Sequence, residues 1–205
     1  VELKPILVES FSVSLIGDSP LICHRWSEKA KKQILDTQMK KAKSAKEARN
    51  PVRDFAESLY WLTPKPEIED EADFEAALKN GAKFGFPSTA FKQAAVSAGY
   101  RAGVLKNKVE MLGAFHINDE LVEIVGLPEL REDMVRLAGI GGTADIRFRA
   151  EFRDWETTLE IRYNANATSP EIIINLFNLA GFSTGIGEFR CEKGGRFGSF
   201  HVKTN

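Results

Sequence analysis

The stretch Ala144-Asp145-Ile146-Arg147-Phe148-Arg149-Ala150-Glu151-Phe152-Arg153-Asp154-Trp155-Glu156-Thr157-Thr158-Leu159-Glu160-Ile161-Arg162-Tyr163 decides the fold. Ala144, Ile146, Phe148, Ala150 and Phe152 alternate with charged residues. Beyond a turn at Asp154-Trp155, Thr157, Leu159, Ile161 and Tyr163 alternate with Thr158, Glu160 and Arg162. Successive side chains of a strand point to opposite faces, so this spacing predicts a long antiparallel hairpin with one buried face. On its polar face Arg147, Arg149 and Arg162 stand with Glu151 and Glu160, which predicts cross-strand ion pairs.

Downstream, Ser169-Pro170-Glu171 has an N-cap residue followed by proline at the first helical position. It predicts an apolar helix from Ile172 to Ala180 closed by Gly181. A glycine-punctuated loop then leads to a last strand, Ser199 to Lys203. Upstream, Phe11, Val13 and Leu15 alternate with Ser10, Ser12 and Ser14, a half-buried strand within Ile6 to Ile16. Ser27 precedes a run of helix formers that predicts a basic helix from Glu28 to Ala48, stopped by Asn50-Pro51. A short strand is expected over Ala56 to Leu62, and a helical turn around Phe74, Ala77 and Leu78. A helix capped by Ser88 follows, with Phe91, Ala94, Ala95 and Ala98 facing the core. Ala114 to Val125 reads as a strand broken near Asn118-Asp119. The core order is strand, helix, strand, strand, helix, strand. That predicts an α+β, ferredoxin-like (RRM-like) domain over residues 1–205: a four-stranded antiparallel sheet, two core helices on one face and the other face open. Residues 17–82 form a helical and loop insertion after the first strand, and residues 126–142 a long excursion between the middle strands.

A chain of 205 residues with 43% hydrophobic and 28% charged residues can bury one sizeable core, which excludes disorder and fibrous classes. Its longest apolar stretch, Ile172 to Leu179, is broken by Asn175 and Asn178. It falls far short of the roughly 20 residues a membrane-spanning helix needs, so no membrane partner is expected. Glu2 and Lys4 bracket too short an apolar run for a signal peptide, and Cys23 and Cys191 read as reduced thiols. Both point to the cytoplasm. The net charge is -1, from 28 basic and 29 acidic residues, yet the charges are segregated. Lys29, Lys31, Lys32, Lys40, Lys41, Lys43 and Lys46 crowd the predicted basic helix, whereas Glu67, Glu69, Asp70, Glu71, Asp73 and Glu75 form an acidic run. Such segregation can line a basic groove on a chain that is neutral overall.

His24, His116 and His201 have neither metal-ligand spacing nor a carboxylate cluster beside them, so no metal and no cofactor are expected. Gly139-Ile140-Gly141-Gly142 opens a strand rather than a helix, unlike a P-loop or dinucleotide fingerprint. The loop after the apolar helix is more informative. Gly185, Gly187, Gly194, Gly195 and Gly198 would let backbone approach a sugar-phosphate chain, Arg190, Lys193 and Arg196 would neutralise phosphates, and Phe189 and Phe197 would stack on bases. The same residues equally suit a long turn whose aromatics enter the core. Lys29, Lys32, Lys40 and Lys43 of the basic helix are phosphate contacts or a solvated face. Arg147 and Arg149 could reach a strand lying across the open sheet.

The loop motifs Gly185-Ile186-Gly187 and Gly194-Gly195-Arg196-Phe197-Gly198 resemble the signature loop of the RAMP superfamily, the repeat-associated proteins of CRISPR systems. Phe86-Pro87-Ser88-Thr89-Ala90-Phe91-Lys92 resembles the entry of that superfamily's backbone subunits into their first helix. The resemblance adds Lys92 to the candidate contacts. It implies a domain that binds a single strand, carries a thumb-like element in the excursion at residues 126–142 and assembles side by side into a filament. None of the family's catalytic residues is placed on this chain. Leu21-Ile22-Cys23-His24-Arg25-Trp26-Ser27-Glu28-Lys29-Ala30 is similar to uncharacterised proteins of tailed phages and prophages. The expectation is therefore a phage-type protein that coats single-stranded DNA or RNA as a homo-oligomer. Its rivals are a CRISPR backbone subunit on guide RNA, a metal-independent endoribonuclease using His24 or His201, and a phage protein that binds a host protein.

Overall fold

Strand β1 (Val8–Gly17) shows the expected alternation, with Val13 and Leu15 buried and Ser10 and Ser12 exposed. The structure, a computed structural model, describes residues 5–41, 48–136, 142 and 144–204. After β1 come β2 (Leu21–Cys23), α1 (Glu28–Gln38), α2 (Pro51–Ser58), β3 (Tyr60–Trp61), α3 (Glu71–Lys79), β4 (Phe84–Pro87), α4 (Ser88–Arg101) and α5 (Lys108–Ala114). Then follow β5 (Phe115–Ile117), β6 (Leu121–Ile124), β7 (Pro128–Arg136), β8 (Ala144–Phe152), β9 (Glu156–Asn164), α6 (Pro170–Ser183) and β10 (Phe200–Val202). They form two compact units, one of Val1–Ile22, Gly85–Leu127 and Phe152–Asn205, the other of Cys23–Phe84 and Pro128–Glu151.

The first unit is built on a sheet of order β10-β1-β9-β5. Every neighbouring pair is antiparallel, and β1 meets β9 over nine positions from Val8↔Asn164 to Ile16↔Glu156. With β1, β5, β9 and β10 as first to fourth strands, this is the 4-1-3-2 order of the ferredoxin-like fold. Helix α4 lies between the first and second strands in sequence, and α6 between the third and fourth. Leu15, Leu159 and Ile161 are buried from the sheet, Phe91, Ala95 and Ala98 from α4, and Ile173, Phe177 and Ala180 from α6. Phe115 meets Phe177 edge-on with ring centroids 6.2 Å apart. Each large apolar side chain so buried stabilises the fold by about 1.5–3 kcal/mol before entropy is set against it.

Helix α6 begins as expected, with the Ser169 hydroxyl accepting from the Ile172 amide and Pro170 at the first position. Its end differs, because the helix runs through Gly181 to Ser183. A Cβ at Gly181 would lie 1.7 Å from the Phe200 carbonyl oxygen, so this glycine admits β10 against the helix rather than ending the helix.

The expected hairpin does not form: β9 joins β1 and β5, whereas β8 pairs with β7 in another sheet. The cause lies at the turn. Trp155 is buried, its indole Nε1–H donates to the Ser19 carbonyl at 2.9 Å, and the Gly17 amide donates to the Trp155 carbonyl at 2.8 Å. The turn thus fastens β9 to the end of β1. Alternation reports which face is buried; it is silent on which strand lies alongside.

In the second unit, the Asn50 side chain accepts from the Arg53 amide and Pro51 takes the first helical position. Asn50-Pro51 therefore starts α2 instead of stopping a helix, and the strand expected over Ala56 to Leu62 shrinks to β3. Phe55, Trp61, Phe74 and Phe84 form an aromatic cluster with neighbouring centroids 4.7 to 6.2 Å apart. Between β7 and β8, Arg149 and Glu151 are 4% and 7% exposed, which overturns their expected place on a polar face. Their partners come from β7: Arg149 pairs with Asp133 at 3.3 Å and Glu151 with Arg131.

Candidate nucleic-acid interface

The Ser27 hydroxyl accepts from the Ala30 amide and caps α1, one residue after Trp26. From there Lys29, Lys32, Gln33 and Asp36, at helical spacing, line a cleft of about 870 Å³ that lies wholly within the second unit. Arg147, Phe148 and Arg149 of β8 line it too, as do Arg49 before α2 and Arg53 within it. His24, Arg25 and Trp26 line it on the segment leading into α1.

Lysines and arginines outnumber carboxylates seven to four in that lining, and each of the four acids has a basic partner, Lys41 for Asp36, Lys65 and Arg25 for Glu57, and Arg49 for both Asp54 and Asp145. Arg25 lies 3.9 Å from Glu57 and 2.8 Å from Glu28. Arg49 holds Asp54 at 2.9 Å and Asp145 at 3.0 Å, with its guanidinium 5.7 Å from the centre of the Phe148 ring. The bond from Asp54, seconded by Asp145 against the effect of burial, raises the Arg49 pKa further. Burial works to raise the Asp145 carboxyl; the bonds from Arg49 and Arg147 outweigh it and hold that carboxyl below its usual value. Lys32 has no ion-pair partner among the described residues. Trp26 is 58% exposed, a large aromatic surface on the rim of a positive cleft. Such a site can neutralise phosphates and stack a base.

Of the residues singled out in the sequence, Lys29, Lys32, Arg147 and Arg149 thus come together, with Arg149 nearly buried against Asp133. β8, which carries Arg147 and Arg149, is not a strand of the four-stranded sheet; it belongs to the β2-β8-β7 sheet. Lys40 is exposed beyond the end of α1 and outside the lining, and Lys43 lies outside the described residues.

The glycine-rich loop belongs to the first unit and folds on itself. The Ile186 amide donates to the Gly198 carbonyl, the Gly198 amide to Pro20, and the Phe197 amide to the Phe189 carbonyl. Gly198 has φ +66°, and a Cβ there would fall 1.8 Å from the Ile186 carbonyl oxygen. Gly185, Gly187 and Gly195 are likewise enclosed, whereas nothing stands within 4 Å of a Cβ at Gly194. Arg190 is tied to Glu192 and to the Gly187 carbonyl. Lys193 is exposed, Phe189 is 37% exposed, and Arg196 covers the half-buried Phe197 at 5.6 Å. Lys92 stands at the β5 edge of the sheet, its Nζ 3.3 Å from His116 Nδ1.

The open sheet face carries Ser12, Ser14, Thr158 and Glu160. Glu160 accepts from the Ser12 hydroxyl at 2.7 Å rather than pairing with an arginine. These four side chains offer hydrogen bonds and no stacking surface.

His24, Arg25, Trp26, Arg49, Arg53 and Phe148 were not singled out as binding residues in the sequence. Arg25-Trp26 beside a helix cap was a readable signal; Arg49 and Arg53 were obscured by the reading of Asn50-Pro51 as a stop. Among the described residues no group of three or more His, Cys, Asp or Glu could hold a metal ion, and no helix is long and apolar enough to cross a membrane.

No protein-family model matches the chain, and no curated protein matches it. Among solved structures, the crystal structure of Cmr6 from Pyrococcus furiosus is similar with a TM-score of 0.46 and 8% identity, over 97% of this chain and 100% of that one. The ferredoxin-like assignment accordingly stands on strand order and register.

Proposed function

We propose that this chain binds single-stranded nucleic acid in the cleft of its second unit, without sequence preference, and self-associates along the strand. One observation carries the reading: the lysines of α1 and the arginines of β8, far apart in sequence, line the same cleft with Trp26 and Phe148. Each phosphate neutralised contributes about 0.7 to the salt dependence of single-strand binding, and each stacked base about 1–3 kcal/mol. The resemblance of the glycine-rich loop and of the α4 entry to the RAMP superfamily supports the same reading. It extends it to a filament, either a phage-type coat on a strand or a backbone on guide RNA.

The test is binding of fluorescent single-stranded DNA and RNA across a salt series, with light scattering on the same samples. Affinity is expected to fall with salt, and particle size to grow as strand is added. Lys29→Glu with Lys32→Glu is expected to weaken binding at least tenfold and to flatten the salt slope by about 1.4, the share of two phosphates. Preference for RNA favours the guide-RNA form and preference for DNA the phage form. Absence of binding at low salt overturns the proposal and leaves protein contact through the acidic segments. Strand cleavage is a second reading because His24 lines the cleft. It requires turnover of labelled RNA that disappears in His24→Ala.

A further inference from the structure

At the β5 edge of the first unit's sheet stands a group of cations that the cleft does not use. His116 on β5 sits directly opposite Arg162 on β9 in the antiparallel register, and both side chains are exposed. Lys92 reaches His116 from α4, with Nζ 3.3 Å from His116 Nδ1 and 5.6 Å from the centre of the Phe115 ring. Arg162 has no ion-pair partner among the described residues. Glu160, the acid two positions before it on the same face of β9, accepts from Ser12 at 2.7 and 2.8 Å. On the other side of Arg162 lies Ser10 of β1, a hydroxyl rather than a carboxylate.

Lysine and arginine side chains on either side of an imidazole disfavour its charged form unless an anion joins them. The groups acting on His116 agree with that picture: burial, then Lys92, then Arg162, all disfavour its protonation, and no carboxylate opposes them. Burial likewise lowers the Lys92 pKa. A neutral His116 that accepts from Lys92 at Nδ1 carries its proton on Nε2 and can donate it to an oxyanion.

We infer that Lys92, His116 and Arg162 form a second anion site, suited to a phosphomonoester dianion such as the terminal phosphate of a nucleic-acid strand or the phosphate of a free nucleotide. A phosphodiester carries one charge. A phosphomonoester carries about 1.5 to 2 negative charges at pH 7 and three acceptor oxygens, one for each of these donors. The assignment rests on the strand-binding reading for the source of the phosphate and on the first unit's own geometry for the chemistry.

The experiment follows the His116 ring resonances of the full chain by NMR, assigned with His116→Gln, while inorganic phosphate is added at pH 7. A saturable shift of the ring resonances with the proton kept on Nε2 is expected, and sodium chloride of equal ionic strength should not reproduce it. In parallel, 5′-phosphorylated and 5′-hydroxyl oligonucleotides of one sequence are compared, then 3′-phosphorylated ones. A terminal phosphate is expected to tighten binding about tenfold, the scale of one charge-assisted hydrogen bond. That gain should vanish in Arg162→Gln, a change at an exposed position, and persist in the Lys29→Glu/Lys32→Glu variant. Adenosine monophosphate competing as well as the oligonucleotide would identify a free nucleotide as the source. A weaker effect of the mononucleotide would identify the strand end. No specific His116 response to phosphate overturns the inference, whatever the cleft does. A response in a chain that binds no strand overturns the cleft reading and leaves this one standing.

Discussion

Gly198 and Gly194 both hold left-handed backbone, with φ +66° and +78°, yet their surroundings differ. Gly198→Ala must displace the Ile186 carbonyl as well as strain its own backbone, so it is expected to cost about 3 kcal/mol or more. Gly194→Ala meets open space and should cost about 1 kcal/mol, the conformational share alone. Urea unfolding of the two variants measures the difference; equal losses would mean that close packing inside the loop contributes nothing. The two cysteines separate in the same way. Burial pushes the Cys23 thiol well above its usual range, while Cys191 is half-buried. Alkylation followed by mass spectrometry should modify Cys191 first and leave Cys23 intact until the chain unfolds. Glu192 makes stability respond to acid. The bond from Arg101 is the main cause of its lowered pKa, with Arg190 adding and burial opposing. A lowered folded pKa gives stability that is present above the ordinary value of 4.5 and is lost as pH falls through the folded value. The stability gap between the natural chain and Arg101→Gln should therefore hold steady near neutrality and narrow below about pH 4.5. A gap independent of pH would show that the pair contributes no charge stabilisation.

Helix α2 depends on its N-cap residue more than α6 does. Asn50 accepts from the Arg53 amide at 3.0 Å, and its Nδ2 donates to the Glu69 carbonyl at 2.8 Å; the Ser169 cap of α6 is longer, at 3.5 Å. Asn50→Ala is expected to cost about 2 kcal/mol and Ser169→Ala under about 1, read from thermal or urea unfolding. The reverse order would mean that the link to Glu69 adds nothing. These two starts also show what the sequence could reveal. Both are an N-cap followed by proline. Ser169-Pro170 is legible because an apolar run follows it; Asn50-Pro51 follows a basic run and in sequence looks like that run's end. The core elements of the first unit could be read from period and caps, since each buries one face on a common core. Partners could not: β8 and β9, adjacent in sequence and alike in pattern, look like a hairpin yet lie in different sheets. In the cleft, Lys29 and Lys32 were legible through their helical spacing. Arg49, Arg53 and Phe148 reach the same space from segments whose approach depends on the tertiary fold.

Cooperativity should be uneven across the molecule. The β1–β9 pairing is long and covered by two helices, whereas α1 has no buried residue. Backbone amides of Val13, Leu159 and Ile161 are expected to exchange with solvent at least about 1000-fold more slowly than those of α1. Uniform protection would contradict this, and slowing confined to α1 on addition of a strand would support the cleft as the binding site. The same β1–β9 pairing sets a timetable for a chain made from its amino end. Ser12 and its partner Glu160 are 148 residues apart. At about 5–20 residues per second a ribosome keeps the first strand waiting roughly 7–30 seconds for its neighbour. Throughout that delay the serines at every second position keep one side of the nascent strand wettable. The row of hydroxyls on the finished sheet therefore also guards the unfinished one against sticking to another nascent chain.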